Sequence, residues 1–155
     1  MVVTGGGAAR VLAQTRADGN WQAHATPIAA RVPAAGIFSA TPVDEDMLLV
    51  GGDFEHERRG SAALALFDGN GGLRVAALPE PSGYRSGVAC FDGAAPLCVA
   101  VGPNGVDLLR QGRWHPVSAT GYDAVDIAGN VGWASGDQGR IARIELVDAP
   151  PPARP

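Results

Sequence analysis

Residues 97–117 read LCVAVGPNGVDLLRQGRWHPV, and this stretch decides the fold class. It contains three short runs that are rich in apolar residues, at 97–102, 106–110 and 113–117. Pro103-Asn104-Gly105 and Gln111-Gly112 separate these runs and are typical of tight turns. Short apolar runs with such boundaries predict consecutive β-strands that pair antiparallel.

The same pattern occurs four times along the chain. In each copy an apolar run ends in glycine, and the four glycine-ending runs are 2–6, 48–52, 99–102 and 132–136. A further run precedes the later copies and opens with an aromatic residue, which is Phe38, Tyr84 or Tyr122. Copies of about 35 to 50 residues with four short strands each have the size and strand count of β-propeller blades.

We therefore predict an all-β fold, a partial β-propeller of three to four four-stranded antiparallel blades. The blade limits are about 1–33, 34–81, 82–118 and 119–147. Predicted strands are 37–41, 47–51, 62–67 and 73–77 in the second blade, and 84–91, 97–102, 106–110 and 113–117 in the third. The first blade lacks its first strand and the fourth lacks its last, so open blade edges are expected to favour self-association. The proline-rich residues 148–155 are predicted to form a disordered tail.

Composition excludes several classes of protein and partner. Of the 155 residues, 46% are hydrophobic and 18% are charged, which is too apolar for a disordered chain. No stretch approaches the roughly 18 consecutive apolar residues of a membrane span, and the first residues do not resemble a signal peptide. The net charge of −4 repels phosphate, so nucleic acid is not expected as a partner. All twelve basic residues are arginine, which indicates a GC-rich bacterial genome.

Three polar turns resemble the Asp-box, or BNR, repeat of propeller proteins, Ser-x-Asp-x-Gly-x-x-Trp. The matching residues are Asp18, Gly19 and Trp21 in the first turn, Asp68 and Gly71 in the second, and Gly112 and Trp114 in the third. The first match has one residue deleted, the second lacks the tryptophan, and the third keeps only the end of the repeat. The resemblance implies hairpin turns between outer strands, with each tryptophan packed between blades.

Over most of its length the chain resembles bacterial proteins of the photosystem II stability/assembly factor-like group. The resemblance rests on residues 35–39, 50–54, 83–88, 99–105 and 139–143. It implies the C-terminal half of a seven-bladed ring that is exported to the periplasm or envelope. It also implies a non-catalytic scaffold that binds proteins or assists assembly, so a protein is the expected partner.

The alternative function is a glycan-binding or sialidase-type propeller, because Asp-box repeats also occur in sialidases. Sialidase chemistry needs an arginine cluster, a tyrosine nucleophile with a glutamate partner, and an acidic proton donor. The nearest string to the sialidase Arg-Ile-Pro signature is Arg31-Val32-Pro33. Tyr84 and Tyr122 open innermost strands, where apolar packing is the commoner role. We therefore predict no catalytic residues and no cofactor.

Metal binding is not predicted either. His24, His56 and His115 fall in three different blades, with no histidine or cysteine at ligand spacing. Residues 53–60 carry several carboxylates but lack the alternating pattern and fixed glycine of a calcium loop. We interpret this stretch as a solvated loop.

The starts of the innermost strands are the candidate binding surface, because they line the central channel of a propeller or its rim. Ser39, Arg85 and Asp123 each follow the aromatic residue of such a strand, and Tyr84 and Tyr122 are two of those aromatic residues. Arg85 is the best candidate for binding an acidic group of a partner. The alternative is a structural arginine that pairs with a carboxylate of a neighbouring blade.

Cys90 and Cys98 flank the turn between the two inner strands of the third blade. If Phe91 pairs with Leu97, the two cysteines lie directly opposite each other, close enough for a disulfide. Two buried thiols that act as small apolar side chains are the other interpretation. Both interpretations stay open, and a disulfide implies an oxidising compartment.

Overall fold

The computed structural model describes residues 2–3, 9–14, 19–28, 32–67, 72–93 and 96–146. These residues form fourteen β-strands and one 3₁₀ turn, Asp137–Gly139. In chain order the strands are β1 Val2–Val3, β2 Arg10–Ala13, β3 Gln22–Ala25, β4 Ala35–Val43, β5 Asp46–Asp53, β6 Gly60–Phe67, β7 Leu73–Ala77, β8 Gly87–Phe91, β9 Leu97–Gly102, β10 Gly105–Arg110, β11 Arg113–Ser118, β12 Ala124–Ala128, β13 Val131–Ser135 and β14 Ile141–Glu145. The predicted all-β fold is confirmed.

The strands form four antiparallel sheets, numbered here in chain order. Sheet one contains β1–β3, sheet two β4–β7, sheet three β8–β11 and sheet four β12–β14. Each sheet is a meander in which consecutive strands are neighbours. Sheets two and three have four strands, whereas sheets one and four have three strands within the described residues. The sheets are open, so the chain is a partial propeller.

The sheets pack face to face in chain order, with a layer of apolar side chains between successive sheets. Val11 and Leu49 lie in the first layer, Leu48 and Cys98 in the second, and Val101 and Ala134 in the third. The central strands lack the alternation of polar and apolar residues, and β5 is an example. Its successive residues Leu48, Leu49 and Val50 are all fully buried, because both faces of sheet two are covered.

Glycine lies at or near the end of the second strand of sheets two and three because other backbone segments approach closely there. The Gly51 carbonyl accepts a hydrogen bond from the Arg85 amide (3.1 Å), and the Gly102 carbonyl accepts one from the Tyr122 amide (3.0 Å). A Cβ atom on Gly102 would lie 2.1 Å from the Tyr84 carbonyl oxygen. The glycine-ending run that repeats in the sequence is therefore a backbone contact between successive sheets.

The largest difference from the predicted strand limits in sheet three is at the start of its first strand. The sequence predicts a first strand from Tyr84, but β8 begins at Gly87. The Tyr84 and Arg85 amides donate to the Glu57 and Gly51 carbonyls of the preceding sheet instead of to β9. These residues therefore join sheet two to sheet three and are not part of the β8 ladder.

The third Asp-box-like turn joins the two outer strands of sheet three. Gln111 and Gly112 join β10 to β11 with φ values of 52° and 73°, as a two-residue hairpin turn requires. The Trp114 indole donates to the Pro79 carbonyl (3.0 Å), and its ring packs between sheets two and three. By contrast, Trp21 is exposed.

Three of the Asp-box-like residues cannot be placed. Asp18, Asp68 and Gly71 lie outside the described residues, as does the predicted tail 148–155. In the first turn, the Gly19 carbonyl accepts a hydrogen bond from the Gln14 side chain (2.6 Å).

Candidate functional site

Arg85 is fully buried, and each of the three nitrogen atoms of its guanidinium binds a neighbouring residue of the chain. Its Nη2 atom lies 2.8 Å and its Nε atom 3.0 Å from Oδ2 of Asp107, which is fully buried on β10. Nη1 donates to the Tyr84 carbonyl (2.9 Å) and Nη2 to the Ser82 hydroxyl (2.7 Å). The prediction that Arg85 binds an acidic partner from an exposed rim is therefore wrong. The structural alternative holds, except that the carboxylate comes from the same sheet.

Ser39 and Asp123 connect successive sheets. The Ser39 hydroxyl accepts a hydrogen bond from the Val88 amide of β8 (3.1 Å), which joins sheet two to sheet three. Asp123 is exposed, and its backbone carbonyl accepts from the Ser86 hydroxyl (2.7 Å), which joins sheet three to the start of sheet four. Ser39 thus has a structural role, whereas the Asp123 carboxylate faces solvent.

Tyr84 belongs to a cluster of three aromatic side chains on the surface, which we call the aromatic trio: Phe38, Phe54 and Tyr84. The rings of Phe38 and Tyr84 are 5.0 Å apart and perpendicular, and those of Phe38 and Phe54 are 6.0 Å apart and also perpendicular. Phe38 is 38% exposed and Phe54 50% exposed. Edge-to-face contacts of this kind are favourable, and they hold the three rings in one arrangement.

A β-bulge directs Phe38 to this surface. Ile37 pairs with Gly51 and Ser39 pairs with Val50, so Phe38 is an extra residue without a partner on β5. Ile37 is buried in the core while Phe38 is exposed, because the bulge changes the direction of the side chain. The sequence analysis missed Phe38 and Phe54 as site residues. The signal for Phe38 was its position directly after Ile37, because two consecutive apolar residues break strand alternation.

Carboxylates surround the tyrosine of the aromatic trio. Burial raises the pKa of the Tyr84 phenol above its ordinary value, and the negative charges of Asp123 and Glu57 raise this pKa further. The Glu57 backbone is fixed at this place because its carbonyl accepts from the Tyr84 amide (2.8 Å). Glu57 and Asp123 are therefore the carboxylates that act on the phenol of this cluster.

The loop between β5 and β6 is a turn built on Asp53. The Asp53 carboxylate is buried and accepts from the Glu55 and His56 amides (3.0 and 3.2 Å) and from Nδ1 of His56 (2.8 Å). Burial alone would raise the pKa of Asp53, but the hydrogen bonds from the His56 side chain and the two amides outweigh it and lower the pKa below its ordinary value. Within the described residues, no group of three or more His, Cys, Asp or Glu is arranged to hold a metal ion.

Tyr122 packs into the third core layer, and Arg140 covers its ring. The Arg140 guanidinium carbon lies 5.9 Å from the ring centroid, and its Nη1 atom binds the Gly121 carbonyl (2.6 Å) and the Asp137 carboxylate (3.0 Å). Tyr122 is therefore mainly a packing residue. The structure does not bring it into the aromatic trio.

Cys90 and Cys98 lie opposite each other on β8 and β9. The predicted register is confirmed, with Phe91 opposite Leu97 and the two cysteines directly paired. The two sulfur atoms form a disulfide, and the Cα atoms are 3.9 Å apart. The bond closes the turn that joins the two inner strands of sheet three.

An open apolar groove lies between sheets three and four. Its volume is about 390 Å³, and Leu108, Val117, Ile144 and Leu146 are among the side chains that line it. Val117 on β11 is 57% exposed, because sheet four ends at β14 in the described residues and no strand covers β11 from that side. The opposite face of sheet four also carries exposed apolar side chains, Trp133 and Ile141.

Comparison with known protein families and with curated proteins finds no match to this chain. The resemblance to photosystem II assembly factor-like propellers and the Asp-box assignment therefore stay predictions. The described part of the chain has no helix with the length and apolar character needed to cross a bilayer.

Proposed function

We propose that this protein is a non-catalytic protein-binding scaffold, and that its partner adds an extended segment to the edge of β14, which no other described strand covers. The apolar groove of Leu108, Val117, Ile144 and Leu146 carries this proposal. A strand beside β14 would cover the groove and satisfy the backbone groups of the β14 edge.

The fourth strands of sheets two and three indicate what kind of segment would fit beside β14. In sheet two, the fourth strand places Leu73 and Val75 against the layer shared with sheet one. In sheet three, the fourth strand places Trp114 against the layer shared with sheet two. A fourth strand that pairs with β14 would have the same geometry. It would direct an apolar side chain into the groove between sheets three and four. The proposed partner segment is therefore an extended strand with a bulky apolar residue that points toward sheet three.

The alternative function, a glycan-binding or sialidase-type propeller, has less support. Arg85 is buried in an ion pair, and Arg140 is bound to Asp137 and to the Gly121 carbonyl. Neither guanidinium is free to bind the carboxylate of an acidic sugar. We therefore assign no reaction to Tyr84 or Tyr122.

A peptide that copies the fourth strand of sheet three tests the proposed function. A fluorescent peptide of residues 111–119 contains Trp114 and is added to the full chain while its anisotropy is recorded. We expect saturable binding that becomes at least about tenfold weaker when the groove variant Val117→Asp is used or when the peptide tryptophan is replaced by alanine. Trp133→Lys removes an exposed aromatic residue from the other face of sheet four and is the matched control. Absence of binding, or equal loss with the control variant, would contradict the proposal.

A further inference from the structure

We propose that the aromatic trio is a binding site for a cationic side chain, an arginine or lysine of a partner protein, with Glu57 and Asp123 supplying the negative charge. Phe38, Phe54 and Tyr84 are the rings of this site. It is separate from the groove beside β14 and is independent of the proposed function.

The trio fits a cation because Phe38 and Phe54 are substantially exposed and its rings are differently oriented. Phe38 stands perpendicular to both Tyr84 and Phe54, so the surface presents ring faces in more than one direction. The face of an aromatic ring carries the negative part of its quadrupole and attracts an ammonium or guanidinium group. Arginine is especially suited, because its planar guanidinium also stacks on rings.

The position of the rings is fixed by buried interactions. Tyr84 is held through its carbonyl by the buried Arg85 and through its amide by the Glu57 carbonyl. Phe54 follows Asp53, and its amide donates to the Ala34 carbonyl (3.1 Å). A site assembled in advance loses little conformational entropy when its ligand binds. Arg85 is thus a positioning residue for this surface and does not contact the ligand.

Charge separates this surface from an ordinary apolar patch. Glu57 lies against Tyr84, because its carbonyl accepts from the Tyr84 amide (2.8 Å). Burial raises the pKa of the Tyr84 phenol, and Asp123 and Glu57 add to this effect. Arg59 lies 3.8 Å from the buried Asp53 carboxylate and is directed toward it. Arg58 is a second exposed cation of the same loop and opposes the approach of a cationic ligand by its charge.

The test uses a pair of ligands of nearly the same shape that differ in charge. Nα-acetyl-arginine methylamide and its citrulline counterpart are titrated into the full chain, and the ring resonances of the aromatic residues are followed by NMR. We expect the arginine compound to shift the resonances of the trio in a saturable way, with affinity at least about fivefold higher than that of the citrulline compound.

Substitutions test where the cation binds, and they distinguish the contribution of the rings from that of the carboxylates. Phe54→Leu is expected to weaken arginine binding about fivefold, while Trp133→Leu, an exposed aromatic residue on sheet four, changes nothing. The double variant Glu57→Gln/Asp123→Asn is expected to remove the preference for arginine over citrulline, and Arg58→Gln to strengthen binding. Phe54 is half exposed, so its replacement leaves the fold intact even if a change at Phe38 does not.

Three results would overturn the proposal. Equal affinity for the arginine and citrulline compounds would show a merely apolar surface. Shifts that centre on Trp133 or Trp21 would place the cation elsewhere. Tighter and competing binding of methyl β-glucoside at the trio would show a sugar-binding surface instead.

Discussion

At the scale of single residues, the buried ion pair of Arg85 and Asp107 joins the segment between sheets two and three to β10. Both side chains are fully buried, and Ser82 donates to the same carboxylate through its amide and its hydroxyl (2.8 Å each). Removal of one partner leaves the other charge buried and unpaired. We expect Arg85→Met or Asp107→Asn to lower the free energy of unfolding by about 3 to 5 kcal/mol in urea titrations. The double variant should lose less than the sum of the two, and losses below about 1 kcal/mol for the singles would contradict this account.

Asp53 makes stability depend on acid pH. Its pKa in the folded protein is lower than the ordinary value of 3.8, which it regains in the unfolded chain. The unfolded state therefore binds the proton more readily, and folding gains stability that is present above pH 3.8 and lost as the pH falls through the folded pKa. In urea titrations across this pH range, Asp53→Asn should reduce the loss of unfolding free energy that acid causes. Asp92→Asn, which replaces an exposed aspartate, should leave that loss unchanged. An unchanged acid profile for Asp53→Asn would contradict this assignment.

Residues whose partners are distant in sequence were the hardest to assign from sequence. Arg85 and Asp107 are 22 positions apart, and their meeting depends on how the segment before β8 crosses sheet two. The aromatic trio likewise combines residues from β4, a loop and an inter-sheet segment. The cysteine pair was predictable, because its register follows from the length of one local turn.

At the scale of the strands and turns, the disulfide between β8 and β9 stabilises the inner hairpin of sheet three. It closes a loop with a sequence separation of 8 residues, which in the chain-entropy account contributes about 2 to 3 kcal/mol. We expect a reducing agent to lower the urea midpoint of the protein by a corresponding amount. The variant Cys90→Ala/Cys98→Ala should show no response to reduction, and an equal midpoint for the native chain with and without reductant would contradict the contribution.

Glycine at the end of β9 is required by the close approach of the segment that precedes β8. A Cβ on Gly102 would lie 2.1 Å from the Tyr84 carbonyl, whereas a Cβ on Gly93 would meet nothing within 4 Å. We expect Gly102→Ala to cost more than about 2 kcal/mol of unfolding free energy and Gly93→Ala to be nearly neutral, as thermal and urea unfolding would measure. Equal effects of the two substitutions would show that the crossing is not tightly packed.

The strand elements were largely predictable because glycine and turn residues punctuate them. β9 at Leu97–Gly102 and β7 at Leu73–Ala77 have the predicted limits. The start of β8 was not predictable, since Tyr84 and Arg85 have the composition of a strand but hydrogen-bond to the preceding sheet. Local patterns predict where strands pair within a blade, whereas they do not show where the backbone joins two blades.

At the scale of the whole molecule, the four sheets form a stack with two different ends. Sheets two and three are covered on both faces, and their central strands are buried. Among the described strands, sheet four ends at β14, and it has an apolar groove toward sheet three and an exposed face with Trp133 and Ile141. The apolar character of these open surfaces is the feature of the described residues on which the proposed protein-binding role rests.

Amide hydrogen exchange of the full chain, with and without the peptide of residues 111–119, tests the central claim most directly. We predict that exchange in β14, Ile141–Glu145, slows when the peptide is bound, because a strand that pairs with its edge occupies its free amides. Strands β5 and β9, which lie inside covered sheets, should keep their rates. Unchanged exchange in β14 at a saturating peptide concentration, or protection confined to sheet one, would contradict strand addition at sheet four.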